Sequence, residues 1–297
     1  STILKVESTV ILLGKGFISK YIADYLLGSG HKVLNLSREE YDYHDEVKLD
    51  ELLYGYEGTR YDTVINTAGF TGKPNVDQCE VEKKDCLYYN SILPKEIETQ
   101  CKKHNKKFIH ISSGCIYTGY DKDFTEEDEP NFGVYNKESS YYSFTKHLSE
   151  LLLDTKFTNI IRIRMPIEDK LSEKNLLTKL LKYDYLIDFV NSKTDVYKLS
   201  EFVGQVVKNF KPGLYNAVHS NPLSTKDVVE ILKEYNLINK KWTFIPYAEL
   251  DIKANRSNCV LSNEKSRKDF DFDWGDEEVF LRLNASLISK KKLWKKK

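Results

Sequence analysis

Short apolar runs, each ending in small or polar residues and each followed by helical periodicity, constrain this chain more than any other feature. Thr9-Val-Ile-Leu-Leu13 is the first, and it stops at Gly14-Lys15-Gly16-Phe17-Ile18-Ser19. Tyr21, Ile22, Tyr25 and Leu26 then recur at helical spacing until Gly28 and Gly30 close the segment. His31–Leu36, Thr63–Asn66, Phe108–Ser112 and Asn159–Arg164 repeat the strand pattern, the last broken by Met165-Pro166. Between them a polar loop runs to Asp77, and a long helical stretch extends from about Val81 to His104. An acidic loop, Thr125 to Pro130, leads into a further helix through Leu148, Leu151 and Leu152. Strands alternating with helices at this spacing predict an α/β fold, a doubly wound parallel sheet. In such sheets ligands bind beyond the carboxyl ends of the strands.

A chain of 297 residues has the size for one large domain, or for a domain with an appended lobe. Its 45 Lys and Arg balance 45 Asp and Glu, which excludes the basic field of a dedicated nucleic-acid binder. Cys79, Cys86, Cys101, Cys115 and Cys259 are odd in number and scattered, without a Cys-x-x-Cys pair. That speaks against a disulfide framework or a thiolate zinc site, and for a reducing compartment. The six histidines show no metal-ligand spacing, so no metal is assigned. The longest early apolar run, Val10 to Leu13, is too short for a signal peptide or a membrane span. A cytoplasmic protein with no membrane partner is the expectation.

Strand, glycine-rich loop and helix, in that order, are the setting in which such a loop carries information. Gly14 suits a tight turn, and Gly16 lets backbone approach a pyrophosphate at the positive helix N-terminus. Ser19 stands where a third glycine would pack. On its own the loop reads equally as a cofactor site and as a plain turn. At the end of the second strand an acidic residue would hold the ribose of NAD, and Ser37-Arg38 stand there instead. They suit the extra phosphate of NADP, so NADPH/NADP is the expected cofactor, with NADH weaker. Ser37-x-x-Glu40 also reads as a capping box for the next helix. Thr67-Ala68-Gly69, after the third strand, are small enough to leave room for a ligand.

Tyr142 and Lys146, in Tyr-Ser-Phe-Thr-Lys, fall on one helical face. A phenol keeps its proton to about pH 10, and a neighbouring ammonium lowers that value toward useful acid–base chemistry. Alone, the pair reads more often as an ordinary (i, i+4) surface contact. Its position is what matters: a strand-end hydroxyl, Ser113, precedes it in a glycine-loop nucleotide fold. Cys115, two residues further on, reads either as a buried small hydrophobe or as an acid–base group at the site mouth.

The glycine turn, Asn90, Ser113, Tyr142 and Lys146 together resemble the extended short-chain dehydrogenase/reductases that act on nucleotide sugars. Thr67-Ala-Gly-Phe-Thr-Gly-Lys-Pro-Asn-Val-Asp77, Ser113-Gly-Cys-Ile116, Glu126-Glu-Asp-Glu-Pro-Asn131, Arg162-Ile-Arg-Met-Pro-Ile167, Leu177-Thr-Lys179 and Arg256-Ser-Asn258 narrow the likeness. It runs from about Thr9 to Leu287 and is similar above all to the bifunctional 3,5-epimerase/4-reductases of UDP-rhamnose synthesis in plants. It extends more distantly to dTDP-4-dehydrorhamnose reductase. The glycine loop departs from the family's Gly-x-x-Gly-x-x-Gly form by one residue and by its last glycine.

The resemblance implies a Rossmann-like sheet with NADPH on Gly14, Gly16, Phe17, Ile18, Ser37, Arg38, Asn66, Ala68, Gly69, Asn90, Tyr142 and Lys146. It implies a nucleotide sugar on Asn75, Asp77, Cys115, Arg256 and Asn258, with the arginine near the diphosphate. The implied reaction turns UDP-4-keto-6-deoxyglucose into UDP-β-L-rhamnose. Cys115 and Lys179 would exchange protons at carbons 3 and 5. Tyr142 would then protonate the carbon-4 oxygen, with Ser113 hydrogen-bonded to it and Lys146 on the nicotinamide ribose. A reductase lacking the epimerase step, a sugar 4-epimerase, and a non-catalytic NADP sensor are the alternatives. Sensors of this fold typically lose the Tyr/Lys pair, which this chain keeps.

After Pro166 the pattern predicts a helix around Leu171 to Lys182, a strand near Leu186 to Phe189 and a helix from Lys198 to Phe210. Gly213 to Val218 and Trp242 to Ile245 read as strands, and Ser224-x-x-Asp227 opens a helix bearing Val228, Val229, Ile231 and Leu232. Residues 1–165 are thus expected to bind the dinucleotide and 166–297 to form a smaller substrate lobe. No internal repeat or Gly/Ser-rich linker separates them, so the lobe is expected to interleave with the first domain. The six lysines of Lys290 to Lys297 read as a solvated, frayed end. A homodimer is the candidate assembly.

Overall fold

Parallel strands bury both faces, and the strand sequences here are apolar on both. In the computed structural model, which describes residues 9–55, 61–73, 75–238 and 240–295 (backbone alone at 294), they form one central sheet. β1 (Thr9–Leu13), α1 (Ser19–Gly28), β2 (Lys32–Leu36), α2 (Glu46–Gly55) and β3 (Tyr61–Asn66) open the chain. A short turn of helix, Val76–Glu80, precedes α3 (Lys83–Leu87), a π-helical turn (Tyr88–Ile92), α4 (Leu93–Lys103) and β4 (Lys107–Ser113). Next come β5 (Gly119–Phe124), α5 (Tyr141–Leu152), β6 (Thr158–Ile163), β7 (Pro166–Ile167), α6 (Leu176–Lys182), β8 (Tyr185–Leu186) and β9 (Thr194–Asp195). α7 (Val196–Lys208), β10 (Gly213–Asn216), α8 (Thr225–Glu234), β11 (Thr243–Phe244), β12 (Cys259–Leu261), α9 (Glu264–Phe270) and α10 (Glu277–Lys295) complete it.

The main sheet runs β2-β1-β3-β4-β6-β10, every pair parallel. Its order reverses between β1 and β3, which makes the crevice beyond their carboxyl ends the natural ligand site. Alternation sorts the core. Val10 and Leu12 face α1 and α7 with Ile22, Leu26, Phe202 and Val203. Ile11 and Leu13 face α2 and α4 with Leu49, Leu52, Leu93 and Ile97. Burying each such side chain contributes about 1.5–3 kcal/mol. A third core joins Ile167, Leu177, Leu180, Val228, Ile231, Trp242, Leu281 and Ile288. The sixth strand and α7 come from beyond residue 166, so the C-terminal part completes the sheet as well as building this separate core.

Several local expectations are corrected. Ser37 accepts from the Glu40 backbone N–H at 3.2 Å, as a capping box would, but the chain makes only a turn there. α2 begins at Glu46, with Asp45 accepting from Val47 and Lys48. The helix expected from Leu171 starts at Leu176, where the Asn175 side chain caps it by accepting from Leu177 N–H. The strand near Leu186 shrinks to two residues. The lysine run is helical as far as Lys295, and Lys291 pairs with Asp169 at 2.9 Å. Lys296 and Lys297 lie outside the described residues, as do residues 1–8 of the first predicted domain. Ser224 does cap α8, accepting from Asp227 N–H at 3.2 Å. Among the described residues no helix is long and apolar enough to cross a membrane.

Candidate active site

The glycine turn lies where β1 meets β3. Gly14 takes φ +102°, and a side chain there would strike Thr67 Oγ1 at 2.7 Å. Thr67 in turn donates from both its N–H and its hydroxyl to the Leu13 carbonyl. Gly16, by contrast, has open space around it. No side chain caps α1 and no acidic residue occupies its first turn. An uncapped helix N-terminus with its positive dipole end, next to an open glycine, fits a pyrophosphate. Ile18 packs on the sheet core, and Phe17 sits edge-on to Tyr21. At the end of β2, Arg38 lies over the Tyr89 ring at 4.1 Å, and Ser37 is tied to Glu40, which also pairs with Lys15.

Asn66 and Asn90 act within the protein. Asn66 accepts from Ala68 N–H at 3.1 Å and meets His110 Nδ1 at 3.3 Å, which fixes the strand end. Asn90 sits in the π-helical turn. It accepts from Phe70 N–H at 2.7 Å, donates to the Phe70 carbonyl at 2.8 Å and reaches Thr145 Oγ1 at 3.1 Å. A Cβ on Gly69 would lie 3.3 Å from both Asn90 Oδ1 and Lys146 Nζ, so these three residues converge.

Ser140 caps α5 by accepting from Ser143 N–H, and that start places Tyr142 and Lys146. Lys146 Nζ stands 5.6 Å from the Tyr142 ring centre. Ser113 ends β4, acts on the Tyr142 phenol and accepts from Cys115 N–H at 3.0 Å. The expected lowering of the phenol is reversed. Burial pushes Tyr142 up, the Cys115 sulfur adds to this, and Ser113 opposes it. Burial also lowers Lys146, because charge is disfavoured on both members of a desolvated pair. The phenol therefore stands in its protonated form, the one that can donate.

Cys115 is the most accessible of the five cysteines, the other four being buried. It lies in the electrostatic field of Tyr142, Lys146 and Lys179. Lys179 is partly buried on α6, and burial, Lys174 and Arg256 lower it while Cys115 opposes. Two residues that sequence reasoning missed join them. Arg164, just past β6, donates from Nη1 to Cys115 Sγ at 3.1 Å. Lys174 donates to Thr71 Oγ1 at 2.7 Å, across from Lys179. The Arg-x-Arg pattern was visible in the sequence, but nothing in it separates Arg164 from Arg162.

The candidate sugar-binding residues form a clamp. Asn75 caps the Val76–Glu80 turn, accepting from Asp77 N–H at 2.9 Å. Asp77 accepts from Ala254 N–H at 3.0 Å and from Arg256 Nη1 at 2.9 Å. Burial works against the Asp77 charge, but Arg256 outweighs it and holds the carboxyl below its ordinary range. Asn258 accepts from Asn191 at 2.9 Å. Among the described residues no three His, Cys, Asp or Glu side chains are placed to hold a metal.

A Rossmann-like sheet with a serine, a tyrosine and a lysine gathered at its carboxyl edge defines a short-chain dehydrogenase/reductase-like protein. The chain belongs to the RmlD substrate binding domain family, whose model matches residues 8–278. It is 30% identical over 231 residues to a trifunctional UDP-glucose 4,6-dehydratase/UDP-4-keto-6-deoxy-D-glucose 3,5-epimerase/UDP-4-keto-L-rhamnose-reductase of Arabidopsis thaliana, covering 74% of this chain. The chain spans only about a third (34%) of that relative's length. A bifunctional dTDP-4-dehydrorhamnose 3,5-epimerase/dTDP-4-dehydrorhamnose reductase of the same plant is 32% identical, covering 70% of this chain and 71% of the relative. In fold, the chain matches the L780 UDP-rhamnose synthase of Acanthamoeba polyphaga mimivirus with a TM-score of 0.85 at 23% identity, over 94% of this chain and 99% of that one. It also matches a dTDP-4-dehydrorhamnose reductase of Bacillus anthracis in complex with NADP, with a TM-score of 0.80 at 15% identity, over 94% and 98%.

Proposed function

We propose that this chain is an NADP-dependent 4-ketoreductase for a nucleotide-linked 4-keto-6-deoxy sugar that also epimerises carbons 3 and 5 of that sugar. The observation that carries the reading is the meeting of two sets of groups at one strand edge: Ser113, Tyr142 and Lys146 for reduction, Cys115 and Lys179 for proton exchange. NADPH is the cofactor, supplying hydride to carbon 4 when bound. The open Gly16 side, the uncapped α1 N-terminus and Arg38 would hold it. Ser113 hydrogen-bonds the ketone oxygen, and Tyr142, which keeps its proton, delivers that proton to the same oxygen. The ketone acidifies the protons on carbons 3 and 5. Cys115 and Lys179 take and return them on opposite faces, which a single group cannot do. UDP-4-keto-6-deoxyglucose is the proposed substrate and UDP-β-L-rhamnose the product. Residues 1–165 bind most of the cofactor and 166–297 most of the sugar nucleotide.

A reductase without epimerase activity is the second reading, favoured by the match to the reductase family. One assay separates them. The chain is incubated with NADPH and UDP- or dTDP-4-keto-6-deoxyglucose, with no epimerase added, and products are identified by mass spectrometry and NMR. A rhamnose nucleotide supports both steps; a reduced sugar that keeps the gluco configuration at carbons 3 and 5 leaves the reductase alone. With NADPH omitted, solvent deuterium entering carbons 3 and 5 reports the epimerase step. Cys115→Ala should abolish that exchange, and exchange at the wild-type rate would remove Cys115 from the mechanism.

A further inference from the structure

Arg162 and Arg164 stand two residues apart at the end of β6, and both are 1% exposed. Arg162 meets a carboxylate: its Nε and Nη2 donate to Glu150 at 2.9 and 2.6 Å. Arg164 has no such partner among the described residues. Its hydrogen bonds go to Ser257 Oγ at 3.1 Å, the Ser257 carbonyl at 3.3 Å, Asn191 Oδ1 and the Cys115 sulfur at 3.1 Å. Its Nε is buried without a partner. A guanidinium does not give up its proton in a protein, so this charge is buried whatever the pH. A buried cation without a counter-charge is strongly disfavoured, and the sequence supplies no acid to offset it here.

The groups in its field that can become negative are the thiols of Cys115 and Cys259 and the phenol of Tyr120. Cys259 is fully closed off, and Cys115 touches the guanidinium directly. We infer that Arg164, whose buried guanidinium meets the Cys115 sulfur in place of a carboxylate, is the positioning residue for proton exchange on the sugar. The other groups facing Cys115 are Tyr142 and Lys146 from α5, Lys179 from α6 and Cys259 from β12. The two lysines add to the positive field, and the phenol keeps its proton. The thiolate takes a proton from carbon, leaving an enolate, and the Lys179 ammonium returns one to the opposite face. Solvent then resets the thiol and the amine, with no net proton gained.

This inference rests on the acid–base role proposed above for Cys115, but its test does not. Iodoacetamide alkylation of Cys115, followed by peptide mass spectrometry across pH, reads the thiolate directly, and the other four cysteines are buried. An ordinary thiol gives a midpoint at about pH 8.5. Arg164→Met, which removes the cation from the sulfur, should raise the midpoint above that of wild type, cutting alkylation at pH 7 about tenfold. Arg164→Lys, which keeps the charge, should retain a midpoint nearer to wild type. Thermal melting and NADPH binding report that the variants are folded. An unchanged midpoint in a folded Arg164→Met overturns the inference. Deuterium exchange by Cys115→Ala tests the epimerase reading separately, since alkylation reports ionisation whatever the thiol does to a sugar.

Discussion

Tyr142 differs from phenylalanine by one oxygen, and the proposed proton delivery rests on that oxygen. Burial keeps its proton in place, so the phenol enters each turnover in the protonated form. Tyr142→Phe should reduce NADPH oxidation roughly a hundred- to ten-thousand-fold, the usual worth of a positioned general acid. NADPH binding should stay close to wild type, because Lys146 and the glycine turn are untouched. Near-normal turnover would mean that another group protonates the ketone. At this scale the sequence was most informative where spacing carries geometry. Ser113, Tyr142 and Lys146 are tied by a strand end and a helical face, and the structure brings them together. Arg164 and Lys174 escaped because each is a single cation among 45 Lys and Arg. What distinguishes Arg164 is a carboxylate that fails to meet it, and that appears only once the chain is folded.

Elements were legible in proportion to their length and periodicity. β1, β3, β4 and β6 were recoverable as apolar runs, and β8 and β11 were read as strands but shrink to two residues each, whereas β7 and β9 have two residues each and no pattern to read. β5 and β12, paired with each other, were missed because Gly-Tyr-Asp-Lys-Asp-Phe is exposed along most of its length. The long helix expected from Val81 to His104 is helical through most of its length but widens to a π turn around Asn90. Pro94 explains this: it has no N–H for the Asn90 carbonyl, and Leu93 N–H bonds back to Tyr88 instead. The turn after β5 yields a prediction. Glu126 is buried with Oε1 unpartnered; burial pushes it up to about 7, with Arg162 and Lys265 pulling the other way. The folded state therefore binds this proton more tightly than the unfolded chain does. The contribution is fully present below the ordinary value of 4.5 and is lost as pH rises through about 7. Glu126→Gln mimics the protonated form at every pH. Relative to it, wild type should lose up to about 3 kcal/mol between pH 5 and 7.5 in urea unfolding. A difference independent of pH would show that Glu126 ionises normally in the folded state.

In the proposed function the molecule as a whole holds two nucleotides, and the residues assigned to each sit on different parts of the fold. Ile18 after the glycine turn packs on one sheet core and Arg38 lies over Tyr89, which packs on the other, whereas Arg256 is paired with Asp77. NADPH and UDP should therefore each raise the melting temperature when added alone, and their effects should nearly add when both are present. At a hundred times its dissociation constant a ligand stabilises by about 2.7 kcal/mol. For a chain of this size that is roughly 5 °C. If Arg38 is the charge-assisted partner of the NADP phosphate proposed above, Arg38→Ala should weaken NADPH roughly ten- to a hundred-fold. At fixed ligand concentration its shift should fall by about half or more, with the UDP shift kept. Arg256→Ala should do the reverse, losing the UDP shift and keeping that of NADPH. Differential scanning fluorimetry of the three proteins with each ligand reads all of these shifts. If Arg256→Ala diminishes both shifts together, the clamp supports the fold as a whole, and the sugar nucleotide must be held elsewhere.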